Sequence, residues 1–153
     1  MKTFEDFCVG DVIALRKYEV SESEMIEFAR RYDPQVFHVD PAGAADSPFG
    51  GLIASGWLTT AIFMRMQCDS FMGDSSCVGS PGVDEVRWLA PVRPGDVLHG
   101  TVEVLETVPS RSRPDRGAVF SSVKICNQDD VPVMSLRTRA IFLNRDAAAS
   151  VGP

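Results

Sequence analysis

Asp33 and His38 stand five residues apart, with Pro34 between them. A carboxylate can take a proton or hold a neighbouring base, and an imidazole gives and takes protons near neutral pH. Proline keeps the residue before it out of helical backbone, so the segment Tyr32–His38 can turn both side chains toward one cavity. Gly56 lies eighteen residues beyond His38, at the expected start of a long apolar helix. The first N–H groups of a helix lack intrahelical partners and sit at the positive end of its dipole. A glycine there lets a ligand oxygen come close. An acid/base pair beside such a donor suits chemistry through the enolate of a carbonyl compound, and a thioester fits well. Each part also has a plain structural use. Asp33-Pro34 can stop a helix, His38 can be a hydrogen-bonded loop histidine, Gly56 can simply start a helix, and Gly50-Gly51 can be a turn. Residue types alone leave both readings open.

The elements around these residues read as helices first and strands second, an α+β pattern. A first strand is expected over Val12–Glu19. Ser21 and Glu24 form a capping box that opens a helix, which Asp33-Pro34 stops. A loop from Pro34 to about Ala54 is broken by one short helical turn near Ala42–Ala45. Ser55-Gly56 then starts a helix to about Met72, apolar on nearly all sides and therefore expected to be buried all round. Alternation and β-branched residues predict strands over Val83–Leu89, Val97–Val108, Ala118–Asn127 and Pro132–Leu143. Hairpin-linked strands and one buried helix give an antiparallel sheet wrapped around a helix.

Hydrophobic residues make up 44% and charged residues 24% of the 153, which excludes a disordered or low-complexity chain. The net charge of −6 argues against a nucleic-acid partner, because that affinity comes mostly from Lys and Arg. The most apolar stretch, Leu52–Met66, is interrupted by Ser55, Gly56, Thr59, Thr60 and Arg65, so no membrane span is expected. Met1–Val9 has no apolar signal core, and a cytoplasmic location is expected. Cys8, Cys68, Cys77 and Cys126 form neither a Cys-x-x-Cys pair nor a cluster with zinc spacing. They read as free thiols, with a Cys68–Cys77 bridge left open, and no metal site is expected.

Asp33–His38, the Pro48-Phe49-Gly50 loop and the Ser55-Gly56 step resemble the signature of the MaoC-like dehydratases, the family of R-specific enoyl-CoA hydratases. That signature runs Asp-x-Asn-Pro-x-His, then a proline–phenylalanine–glycine loop, then a His-Gly or Ser-Gly step into a central helix. Val86–Asp96 resembles a strand and turn shared by the same proteins, and the likeness covers about residues 5–143. Here Gln35 stands in the place of the family's asparagine, and the proline follows the aspartate by one residue rather than three.

The resemblance implies a hot-dog fold over residues 1–145, followed by a flexible tail over 146–153. It implies reversible hydration of a trans-2-enoyl thioester to an R-3-hydroxyacyl thioester. Asp33 and His38 would hold the water, and Gly56 N–H would bond the thioester oxygen. Gln35, Phe37, Phe49, Ser55 and Trp57 are the expected substrate-binding residues, with Leu58 and Ile62 as further tunnel candidates. The substrate is an acyl-CoA or an acyl-carrier thioester, and no cofactor is implied. Arg111, Arg113 and Arg116 form a basic cluster suited to CoA phosphates, or a solvated hairpin loop. A homodimer or larger homo-oligomer is implied, since an open sheet leaves an edge to be covered. Two rivals are a hot-dog thioesterase and a non-catalytic acyl-thioester-binding protein. The thioesterase would need an acidic residue on the central helix, and none lies between Trp57 and Cys68.

Overall fold

The computed structural model describes residues 1–150. The expected first strand is two short pieces, β1 (Val12–Ala14) and β2 (Tyr18–Glu19). The break has a local cause: Arg16 N–H leaves the ladder and donates to Ser70 Oγ at 2.8 Å. Ser21 caps α1 (Glu22–Tyr32), its hydroxyl accepting from Glu24 N–H at 3.2 Å. Met25 and Ala29 are the buried residues of α1. The following loop holds two helical turns rather than one, α2 (Val36–Val39) and α3 (Pro41–Ala45). Next comes α4 (Gly56–Ser70), capped by Ser55.

Four long strands complete the sheet: β3 (Cys77–Trp88), β4 (Val97–Pro109), β5 (Arg116–Cys126) and β6 (Pro132–Leu143). All pairings are antiparallel, in the order β1-β4-β5-β6-β3, with β2 also on β4. β3 starts six residues earlier than expected. Gly79, Pro81 and Gly82 resemble a loop, yet the chain keeps pairing with β6 through register shifts flanking Gly79 and Gly82. Proline and positive-φ glycine are tolerated at bulges of an edge strand, and Gly79 and Gly82 take φ of 138° and 150°.

Leu58, Ile62, Phe63 and Met66 of α4 share one core with Val102, Val123, Ile125, Met134 and Leu136 of the sheet. Each such burial is worth about 1.5–3 kcal/mol. This is the hot-dog arrangement expected from the sequence. The expectation of all-round burial of α4 is corrected, because Trp57, Ala61, Met64 and Cys68 are exposed. Their spacing of four, three and four puts them on one stripe. The start of the supposed loose tail is a short helix, α5 (Arg145–Ser150), with Ala148 buried. The Arg145 backbone N–H bonds Glu5 and Asn144 Oδ1 accepts from Ala147 N–H, which dock it. Residues 151–153 of the expected tail lie outside the described residues. All four cysteines are free, so Cys68 and Cys77 are not bridged.

Candidate active site

The end of α1 places Asp33. Its backbone N–H closes the helix on Ala29 O, and proline then forces the chain out of helical backbone. The single turn of α2 swings His38 back toward it. Two bonds to one residue hold α2 in place: Ile53 N–H donates to Phe37 O at 3.0 Å, and His38 Nδ1 lies 2.8 Å from Ile53 O. A carbonyl oxygen only accepts, so Nδ1 carries a proton. The bond to Ile53 thus fixes the ring with Nε2 turned toward the acid.

That Nε2 lies 3.3 Å from Asp33 Oδ2. The same Oδ2 accepts from Ser55 Oγ at 2.7 Å, and Oδ1 accepts from Gln35 Nε2 at 2.7 Å. Burial pushes the Asp33 carboxyl up, but the Ser55 hydroxyl, the Gln35 amide and the His38 charge outweigh it and hold the pKa below the ordinary value. Asp33 is thus a carboxylate. Opposite it stands His38 Nε2. A carboxylate oxygen and a ring nitrogen this close either share one proton or hold one water between them.

Ser55 is fully buried and serves two elements. Its oxygen accepts from Trp57 N–H at 3.3 Å at the entrance of α4 while its hydrogen goes to Asp33. The acid is therefore tied to the first turn of α4. Gly56 N–H, one residue on, has no acceptor among the described residues. Gly56 and His38 line one cavity of about 390 Å³, with Phe37, Phe49, Trp88 and Val92 among its walls. This size suits a small-molecule site. A base pair, a free donor at a helix N-terminus and an apolar cavity together can activate water against a polarised carbonyl compound.

Residues 8–122 match the family model described as MaoC like domain. The chain belongs to the MaoC-like dehydratase family. A MaoC-like dehydratase from Rhodospirillum rubrum has the same fold at a TM-score of 0.87 and 37% identity, covering 95% of this chain and 99% of that one. Uncharacterized protein YdeM of Bacillus subtilis is 33% identical over 130 residues, 84% of this chain and 90% of its own. The 3-hydroxybutyryl-CoA dehydratase of Methylorubrum extorquens is 34% identical over 111 residues, 72% of this chain and 68% of its own.

In this MaoC-like chain the structure brings Asp33, Gln35, His38, Ser55 and Gly56 together. Gln35 reaches Asp33 directly, so the longer amide still serves the acid. Phe37 and Phe49 sit on the cavity wall, their rings 5.2 Å apart. Trp57 is not on that wall. It is 61% exposed and meets the cavity only through the edge of Trp88. Ser55 spends its hydroxyl on Asp33, and Leu58 and Ile62 are plain core. Arg111, Arg113 and Arg116 are not brought to the site within this chain. They lie at the β4–β5 hairpin, whereas Val133, on the cavity wall, is at the other end of the sheet. Arg116 is also bound to Asp115 at 2.7 Å. Two further residues bear on the cavity. Trp88 lines it, and Arg93 Nη2 donates to the backbone O of Phe49, a wall residue, at 2.7 Å. Both fall in Val86–Asp96, the segment whose likeness to the family marks it in the sequence.

Proposed function

We propose that the protein catalyses reversible hydration of a trans-2-enoyl thioester to the R-3-hydroxyacyl thioester. The observation that carries this reading is the convergence of Asp33 Oδ2 and His38 Nε2, 3.3 Å apart, in a site tied to the start of α4. Both bases hold one water. Asp33 takes a proton from it as its oxygen bonds C3. The C2–C3 π pair moves onto the thioester as an enolate, whose oxygen Gly56 N–H bonds. The proton then reaches C2 through His38. Losing one donor of the Gly56 kind typically costs ~10²–10³ in turnover. The named dehydratase relative and the R. rubrum neighbour support this choice of reaction.

A thioesterase reading lacks its acid. The one acidic residue of α4 is Asp69, at the far end of the helix and bonded to Arg65 at 2.9 Å. Crotonyl-CoA separates the possibilities. Loss of enoyl absorbance without thiol release is the expected result. Thiol release, or tight binding with neither change, overturns the hydratase reading.

The working unit is a homodimer. β3 is a long edge strand, and the stripe Trp57, Ala61, Met64 and Cys68 is apolar and exposed in the single chain. A second copy covers both, as exposed edges and apolar faces require. Sedimentation should give twice the chain mass or more. The substrate is a CoA or carrier-protein thioester, and the location is the cytoplasm, where four free thiols stay reduced.

A further inference from the structure

We infer that Trp88 sets the width of the acyl slot beside the thioester carbonyl, and so selects against enoyl thioesters branched at C2. The inference rests on the hydratase reading for where the acyl chain lies. Trp88 is the last residue of β3, and the next residue is anchored by Leu89 N–H on Val133 O at 2.8 Å. Its indole lies flat on Gly56. A Cβ added at Gly56 would overlap Cδ2 and Cε2 of the indole. The glycine is thus required twice, once for its open N–H and once because the indole occupies the space of a side chain.

The indole is also held from two sides. Nε1 donates to Thr60 Oγ1 at 3.3 Å, and that hydroxyl donates on to Gly56 O at 3.0 Å. Trp57 meets it edge-on, with ring centroids 5.2 Å apart and planes at 75°. Both tryptophans of the chain therefore stand at the entrance of α4. The ring is half-exposed, and the face that lies on Gly56 is held by this bond and this contact.

An oxygen bonded to Gly56 N–H sits about 2.9 Å from that nitrogen, so the carbonyl carbon and its two arms pass close to Gly56. His38 works at C2 and C3, so the acyl arm must enter the cavity that His38 lines. Trp88 lines the same cavity. C2 adjoins the carbonyl carbon on that arm and the indole lies on Gly56, so the C2 substituent is the one we set against the ring. A hydrogen fits, and a methyl meets the ring. One methyl of misfit in an apolar pocket is worth roughly 10–200-fold in discrimination.

The experiment compares kcat/KM for crotonyl-CoA and 2-methylcrotonyl-CoA in wild type, Trp88→Phe and Trp88→Ala. The wild type should favour the unbranched substrate at least tenfold. Trp88→Ala should narrow that ratio at least tenfold, and Trp88→Phe should fall between. Calorimetric titration with butyryl-CoA and 2-methylbutyryl-CoA reads the same width without turnover. Equal acceptance of both substrates by the wild type overturns the inference. So does an unchanged ratio in Trp88→Phe when Trp88→Ala does not fold. A change confined to the ratio of crotonyl-CoA to crotonyl N-acetylcysteamine puts the ring on the sulfur arm and also overturns it. If the wild type hydrates neither substrate while titration still separates the saturated pair, the reaction reading fails and the wall stands.

Discussion

The chain has two histidines, and each stands beside an aspartate at nearly the same distance. His38 Nε2 is 3.3 Å from Asp33 Oδ2, and His99 Nε2 is 3.2 Å from Asp130 Oδ1. Distance does not separate the pairs; their surroundings do. In the first pair the side chains are 7% and 19% exposed, in the second 32% and 87%. Asp33 has both oxygens held and His38 has its other nitrogen fixed by Ile53 O. Among the described residues the Asp130 carboxylate has no such partners beyond His99, and water screens the pair. A carboxylate and an imidazole become a catalytic unit when the rest of the fold fixes their protons and excludes bulk water.

The largest effects should come from removing either member of the inner pair. Asp33→Asn and His38→Ala should each lower hydration at least ~100-fold with the fold intact, the usual scale for a general acid or base. Crotonyl-CoA kinetics alongside circular dichroism checks both. A smaller loss comes from the support. Ser55→Ala removes a hydrogen bond to a charged group and should cost roughly 10–100-fold in turnover. It also moves the pH profile. The hydroxyl favours the ionised acid, so its loss raises the Asp33 pKa toward the ordinary 3.8 or above. The acid limb of kcat/KM then shifts to higher pH. The same linkage acts on stability. The contribution of ionised Asp33 is present above the carboxyl's unfolded pKa and is lost as pH falls through the lower folded value. Denaturant titrations of Ser55→Ala should show that acid-side slope reduced.

Gln35→Ala acts in the same direction on an exposed amide and should cost roughly two- to tenfold. His99→Ala and Asp130→Asn should leave kcat/KM within about twofold, the scale of an exposed ion pair. A large loss there would mean that the outer pair belongs to the chemistry and would break the comparison.

How far the sequence revealed these two pairs follows from how local each one is. Asp33 and His38 come from one short segment, and the proline between them announces the bend. The Ser21 cap, the Ser55-Gly56 step and the alternating strands β4 to β6 are likewise local signals, and they match the structure closely. The outer pair was invisible as a pair, because His99 and Asp130 meet only across the sheet. At Asp130 the chain turns with φ of 59°. The other misses have the same origin. Gly79 to Gly82 read as a loop because pairing with β6, not composition, makes them strand. The apolar stripe of α4 read as core because an uncovered face and an interior have the same residues. Charge alone singles out the arginine hairpin, and only the strand register shows that it stands at the far end of the sheet from Val133 of the same chain. Nothing local to Trp88 announces that its ring lies on Gly56, thirty-two residues earlier in the chain.

Ser55 has a further consequence. One oxygen atom starts the central helix and grips the acid, so the two cannot loosen independently. Helix ends open before cores do. Warming should therefore silence the enzyme while its secondary structure is still whole, and a substitution that stiffens this one entrance should extend working life without touching the interior.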